Sequence, residues 1–357
     1  MPRSLHRLLT GDSASSPSVE DESVALVVTS PPYPMIEMWD SLFAARSRQV
    51  HEALESGDGP AAFRMMHREL DAVWSEVARV LQPGGWACIN VGDATRKVGD
   101  SFQLYSNHTR IMETFMNLGL DILPLILWRK QTNAPNKFMG SGMLPAGAYV
   151  TLEHEYILIM RKGQKRVFTS AEERLARRES AFFWEERNRW FSDIWDFKGT
   201  RQGLDHHELR ERSAAFPFEL PYRLINMYSV RGDTVFDPFL GTGTTVFAAM
   251  ASGRNSIGVD IDPSFVAAAA AECLDIRGML NARVSDRVGE HLAFVEQSRN
   301  TGKELKYTNV PHGFPVMTSQ EVNLRLDSIE EIKESPPGQF EVVSRPIDSI
   351  TEPASSP

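Results

Sequence analysis

Apolar residues along the chain fall into two rhythms: short continuous runs, and longer stretches in which they recur every three or four positions. The first suits buried strands and the second amphipathic helices. Residues 24–28 form the first clear run and lead into Ser30-Pro31-Pro32-Tyr33. Two consecutive prolines supply no backbone N–H and continue neither a ladder nor a helix, so the chain must leave this strand in a stiff, extended turn. Across 61–81, Phe63, Met66, Leu70, Val73, Trp74, Val77 and Leu81 mark one helix face, which closes at Pro83-Gly84-Gly85. Strands are expected at 86–91, 122–128, 154–160, 234–237 and 256–259, and a helix at 110–118. The alanine-rich run from Ser264, then 274–294, carries helical character. Strands alternating with helices predict an α/β fold with a doubly wound sheet, and the spacing of 122–128 and 154–160 predicts an antiparallel hairpin near one edge.

The second strong pattern is Thr234 through Thr245, which reads as a short strand, a glycine turn and a helix start. Gly241 and Gly243 let backbone approach a ligand, and the helix N-terminus offers free N–H groups to an anion. No Gly-Lys-Ser/Thr ending follows, which argues against a nucleotide triphosphate loop. The turn is also short of a full Gly-x-Gly-x-x-Gly, which argues against a nicotinamide dinucleotide. Asp260 ends the next strand, 19 residues after Gly241, where nucleotide-type folds hydrogen-bond a ribose. The Ser30–Tyr33 turn pairs a hydroxyl and a bare carbonyl with an aromatic ring. These suit a planar substrate presenting an amino group, although an ordinary proline turn explains the four residues alone equally well.

Taken in this order, the two motifs resemble the β-class DNA amino-methyltransferases, which use S-adenosylmethionine. Thr-Ser-Pro-Pro-Tyr stands at 29–33, ahead of Asp-Pro-Phe-x-Gly-x-Gly at 237–243. Related methyltransferases of RNA or of protein glutamine place the cofactor motif first and use Asn-Pro-Pro-Tyr. The resemblance runs from about residue 8 to about 299. It implies a Rossmann-like sheet in circularly permuted motif order: a catalytic half at 1–162, an inserted target-recognition region at 163–212, and a cofactor-binding half at 213–299. An acidic extension, 300–357, follows, with five Lys/Arg against nine Asp/Glu; its last ten or so residues are expected to be disordered.

The resemblance further implies that Ser30, Pro31, Pro32 and Tyr33 form the amine pocket. Asp12, Phe216, Pro217, Asp237, Pro238, Phe239, Gly241, Gly243, Thr244 and Asp260 would hold S-adenosylmethionine. The histidine that usually precedes the Phe-Pro element is missing, and Arg212-Ser213 stands near its place. An exocyclic amine is a poor nucleophile because its lone pair is delocalised. Acceptors at the Ser30 hydroxyl and the Pro31 carbonyl would localise that pair toward the methyl group, with Tyr33 stacked on a flipped base. Carbon methylation would need a thiolate nucleophile; Cys88 is expected inside a strand and Cys273 inside a helix. Serine at the first motif position resembles the cytosine-N4 branch. Adenine-N6 transfer is the alternative, and an RNA methyltransferase or a non-catalytic regulator that binds S-adenosylmethionine and DNA are more distant ones. Double-stranded DNA is the implied substrate, and a cognate restriction endonuclease the implied partner.

Bulk properties change this picture little. The 357 residues carry a net charge of −9, which does not advertise DNA binding, although a local basic surface is enough for phosphate contact. No run approaches a membrane span, no signal-type apolar segment opens the chain, and two cysteines give no disulfide framework. The expected location is a prokaryotic cytoplasm, near the nucleoid, with no membrane contact.

Between Arg161 and Arg189, nine Lys/Arg stand against five Asp/Glu, and Phe182, Phe183, Trp184, Trp190, Phe191, Trp195 and Phe197 are interleaved there or follow closely. This segment is expected to read DNA; the competing expectation is a solvated helix followed by aromatic core. Stretches 34–60 and 96–101 are further candidates to face DNA, and Trp128-Arg129-Lys130 and 133–137, beyond another strand end, are candidates to touch the flipped nucleotide. Asp93 is expected to cap a turn. Glu37 and Asp40, near Tyr33, receive no proton-transfer role. His206-His207, beside Asp205 and Glu208, reads as a surface pair rather than a metal site, since adjacent helical side chains diverge.

Overall fold

The computed structural model describes residues 1–130, 149–198 and 216–348. Its strands are β1 (Arg3–Thr10), β2 (Val24–Thr29), β3 (Leu81–Val91), β4 (Ala94–Val98), β5 (Ser101–Tyr105), β6 (Leu120–Arg129), β7 (His154–Lys162), β8 (Ile194–Asp196), β9 (Thr234–Asp237), β10 (Asn255–Asp260), β11 (Tyr307–Thr308), β12 (Pro315–Val316), β13 (Asp327–Glu334) and β14 (Gln339–Pro346). Ten of them form one sheet in the order β13-β14-β1-β10-β9-β2-β3-β7-β6-β8. The five central strands, β1, β10, β9, β2 and β3, run parallel.

All six residues of β2 are buried, because the sheet is covered on both faces. Val24 and Val27 face the layer built by α3 (Gly59–Val80) and α4 (Asn107–Asn117), given that α1 is Asp40–Arg46 and α2 is Arg48–Glu55. Leu26 and Val28 face the opposite layer. That layer contains α7 (Glu219–Tyr228) and α8 (Thr244–Ala251), which follow α5 (Ala171–Glu179) and α6 (Trp184–Trp190) in the chain. The helices after β2 and β9 therefore leave on opposite faces of neighbouring strands. Their carboxyl ends open a crevice where ligands bind in open α/β sheets. Ser30 follows β2 there, and the glycine turn follows β9.

The expected antiparallel hairpin is present as β6 and β7, with β8 added outside it, parallel to β6. Strand β1 was not anticipated. Its inward face alternates Ser4, His6 and Leu8, so two polar side chains mask the apolar signal. They satisfy each other: the His6 ring meets Ser4 Oγ at 2.9 Å and Ser256 Oγ at 2.7 Å, and burial pushes the imidazole down to about 3. The 300–357 stretch, expected as an extension, supplies β13 and β14, which extend the sheet beyond β1; 349–357 lies outside the described residues.

In the basic and aromatic segment α5 is a solvated helix, and the aromatics divide between core and surface, with Trp184 and Phe191 exposed. Phe183, Trp190 and Trp195 are buried. Phe183 lies flat on His291 of α10 (Arg277–Asn300, after α9, Pro263–Asp275), with ring centroids 3.8 Å apart. Glu186 and Arg287 form a buried pair at 2.6 and 2.8 Å. Arg166 bonds Asp233, and Ser180 Oγ accepts from Arg231 N, both just ahead of β9. Residues 166–180 thus sit at the amino ends of the parallel strands, one strand length away from the Ser30 turn. The remainder of the expected recognition region, 199–212, lies outside the described residues.

Candidate active site

The two sequence motifs meet in one cavity of about 290 Å³. Ser30, Pro31 and Pro32 line it, together with Asp12, Phe216, Asp237, Pro238, Phe239, Gly241, Thr244 and Asp260. Three expected site residues stand elsewhere. Gly243 caps α8 with φ +86°, and a Cβ on it would come within 3.0 Å of Ala269 and Phe247, so it serves the turn and helix packing. Pro217 accepts from Leu220 N through its carbonyl, opening α7. Tyr33 lies behind Ser30 and is 7% exposed, so it offers a hydroxyl contact rather than a free ring face.

The glycine turn is held by carboxylates. Asp260 Oδ2 accepts from Gly241 N at 2.8 Å and Oδ1 from Asp262 N at 2.9 Å; burial raises its pKa against the pull of these amides. Asp237 Oδ1 accepts from Thr29 Oγ1 at 2.5 Å and Phe239 N at 3.0 Å. Burial pushes the Asp237 carboxyl up to about 6. Gly241 has φ +49°, and a Cβ on it would meet only the Phe239 carbonyl, at 3.8 Å, so its backbone is approachable from the cavity it lines.

Segment 34–60, a candidate to face DNA, helps build this cavity. Trp39, Phe43 and Arg46 line it, and Arg46 bonds Asp12 at 2.9 Å and reaches Glu69 at 3.5 Å. Asp40 forms a two-pronged pair with Arg96 of the β4–β5 hairpin at 2.8 and 2.6 Å. Nothing in the residue spacing of 34–60 distinguishes a cavity wall from a DNA-facing loop.

Behind Ser30 stands a polar cluster in which Asn90 and Glu155 were not anticipated. Ser30 Oγ lies 2.9 Å from Tyr33 Oη, and Tyr33 Oη donates to Glu155 Oε2 at 3.1 Å. Asn90 Nδ2 donates to both, at 2.8 Å to Tyr33 and 2.7 Å to Glu155. Glu155 also pairs with half-exposed Lys130. Burial, then the nearby Glu155 charge, raises the Tyr33 phenol well above its usual value. The available signal was slight: Asn90 is a polar residue in the apolar end of β3, and Glu155 stands among other polar residues at the start of β7.

A second polar group braces the turn. Asn107 Nδ2 donates to the carbonyls of Pro34 and Gly92, at 3.0 and 2.9 Å, while the His67 ring meets Asn107 Oδ1 at 3.0 Å. Asp93, expected to cap a turn, instead accepts from His108 N at 3.1 Å in the first turn of α4, 15 residues on. Trp128 is buried and donates to the Phe197 carbonyl; Arg129 lies near Glu153 and Asp196. Residues 133–137 and His206-His207 lie outside the described residues.

Residues 24–271 match the DNA methylase family of N6/N4 methyltransferases. The chain belongs to this DNA methylase family. The type II methyltransferase M.MthZI of Methanothermobacter thermautotrophicus is 50% identical to the methylase, covering 95% of each chain. M.MjaI of Methanocaldococcus jannaschii is 51% identical over 72% of the methylase and 88% of its own length. A putative DNA modification methylase of Thermus thermophilus, TTHA0409, was solved complexed with S-adenosyl-L-methionine. It is 33% identical, covers 75% of the methylase and 94% of its own chain, and superposes with a TM-score of 0.55. PvuII DNA methyltransferase (cytosine-N4-specific), at 19% identity, 75% and 86% coverage and TM-score 0.54, shares the fold. Among the described residues, no helix is long and apolar enough to cross a membrane.

Proposed function

We propose that this DNA methylase transfers the methyl group of S-adenosylmethionine to the exocyclic N4 of cytosine in double-stranded DNA. The observation that carries this reading is the shared cavity: Ser30 and Pro31 face the same space as Asp237, Gly241 and Asp260. Acceptors for an amine and a cradle for a cofactor therefore adjoin. The cradle fits the cofactor. Asp260 keeps lone pairs for ribose hydroxyls after accepting two backbone N–H groups, and Trp39, Val73, Phe239 and Phe265 supply apolar walls.

When bound, S-adenosylmethionine supplies an electrophilic methyl group on a sulfonium. The chain's own contribution is alignment. Ser30 Oγ and the Pro31 carbonyl oxygen accept the two amine hydrogens, which turns the nitrogen lone pair toward the cradle. Pro31 and Pro32 add no competing N–H donor. A covalent route is unsupported, since Cys88 and Cys273 are buried and burial pushes both thiols up.

Serine is neutral, which suits cytosine, whose ring nitrogen beside the amine is itself an acceptor; a carboxylate in its place would repel that nitrogen. The type II relatives support reading the protein as the modification arm of a restriction-modification system, with a cognate endonuclease acting on the same DNA. Incubation with S-adenosylmethionine and unmethylated genomic DNA, followed by nucleoside mass spectrometry, should show N4-methylcytosine. N6-methyladenine would overturn the base assignment while keeping the cofactor and the turn.

A further inference from the structure

We infer that Glu155 is a positioning residue for the transfer: acting through Tyr33, it fixes which way the Ser30 hydroxyl points. The inference rests on the reading of Ser30 as an acceptor for the target amine. It follows from counting hydrogens in the buried cluster. Asn90 has two amide hydrogens, and both are committed, one to Tyr33 Oη and one to Glu155 Oε2. Tyr33 has one hydrogen and gives it to Glu155, a carboxylate that only accepts. Tyr33 Oη is then left as an acceptor, so across the 2.9 Å contact with Ser30 the hydrogen must be the serine's. Ser30 Oγ–H therefore points back at Tyr33, and the lone pairs of Ser30 Oγ face the cavity.

Without that constraint a serine hydroxyl rotates, and orientations that aim its hydrogen into the cavity would meet the amine hydrogens with another hydrogen. Asn90 is 2%, Tyr33 7% and Glu155 8% exposed, so water has little access to scramble the pattern. Gly92 permits the close packing: a Cβ there would lie 3.2 Å from the Tyr33 ring and 3.4 Å from Glu155 Cγ. Lys130, paired with the other carboxylate oxygen, completes the arrangement.

Glu155→Gln breaks the pattern while keeping the shape. Lys130 donates only, so the glutamine carbonyl turns toward Lys130 and its NH₂ inward, where Asn90 turns its amide over so that Oδ1 accepts from it. The Tyr33 hydrogen then has two acceptors, Asn90 Oδ1 and Ser30 Oγ, and the Ser30 hydrogen is no longer held away from the cavity. The single-turnover methylation rate of Glu155→Gln should fall about 10- to 100-fold. Dissociation constants for S-adenosylmethionine and DNA, and the melting temperature, should stay close to those of the unaltered protein.

Because the effect passes through Tyr33, Glu155→Gln should cost nothing further in a Tyr33→Phe background. Tyr33→Phe, which removes one oxygen and keeps the ring, should itself slow the rate several-fold with S-adenosylmethionine affinity unchanged. It supplies a second test should Glu155→Gln fail to fold. A Glu155→Gln or Tyr33→Phe rate within twofold of the unaltered protein overturns the inference, as does an equal Glu155→Gln loss in both backgrounds. Ser30→Ala separates the two readings: if it keeps full activity, the amine-acceptor reading fails first.

Discussion

Thr29 Oγ1 donates to Asp237 Oδ1 at 2.5 Å, joining the residue before the Ser30 turn to the residue before the glycine turn. Both are buried, on the neighbouring strands β2 and β9. Thr245 Oγ1 adds a second tie, donating to the Val28 carbonyl at 3.2 Å. Side chains inside the sheet thereby tie the proposed amine acceptors to the proposed cofactor cradle.

Thr29→Val keeps the shape but removes a donor from a buried carboxylate. It should lower stability by about 1–3 kcal/mol in urea unfolding. It should also slow single-turnover transfer more than it weakens S-adenosylmethionine binding, since misalignment acts on the reacting geometry. Unchanged stability would show that Asp237 finds another donor.

The Asp237 carboxyl also gives a pH signature. Its pKa rises from 3.8 to about 6 on burial, so the folded state holds this proton more tightly than the unfolded chain. The stability it contributes is full below pH 3.8 and lost as pH rises through about 6. Above that, the buried ionised group costs at most about 3 kcal/mol. Asp237→Asn should therefore gain stability relative to the unaltered protein as pH rises from 4 to 7. Parallel stability curves across that range would refute the assignment.

His67 acts in the opposite direction. Burial pushes it down to about 4 from 6.5, so its contribution is present above pH 6.5 and lost as pH falls toward 4. His67→Gln can keep an amide donor to Asn107. Its urea midpoint should decline less steeply between pH 6.5 and 4.5 than that of the unaltered protein; equal slopes would contradict this.

Asp260→Ala removes the acceptor of Gly241 N and the carboxylate facing the cradle. Calorimetry should show the S-adenosylmethionine dissociation constant raised about 10- to 100-fold, with the transfer rate at saturating cofactor reduced far less. A loss confined to the transfer rate would move Asp260 out of the cradle.

Where burial and patterning coincide, the sequence was enough. Strand β2 is apolar from Val24 to Val28 because both its faces are covered, and Pro31-Pro32 ends it visibly. Helix α3 shows its buried stripe, from Met66 to Val77, directly. Strand β1 stayed hidden because Ser4 and His6 occupy core positions and satisfy one another there, which period-two apolarity does not register. The aromatics at 183, 190 and 195 could be read either as DNA contacts or as core because their cover, Arg287 and His291, stands about a hundred residues away. Asn90 and Glu155 escaped for the same reason: each is unremarkable in its own strand, and only the antiparallel pairing of β3 with β7 brings them to Tyr33. Residues of one turn were legible, whereas contacts across strands were not.

The most direct test sets the unaltered protein beside Ser30→Ala, each incubated with S-adenosylmethionine and unmethylated duplex DNA, followed by mass spectrometry of the released nucleosides. The account expects N4-methylcytosine from the first and a near-complete loss of product from the second, with S-adenosylmethionine affinity by calorimetry equal in both. N6-methyladenine as the product, or undiminished methylation by Ser30→Ala, would contradict it.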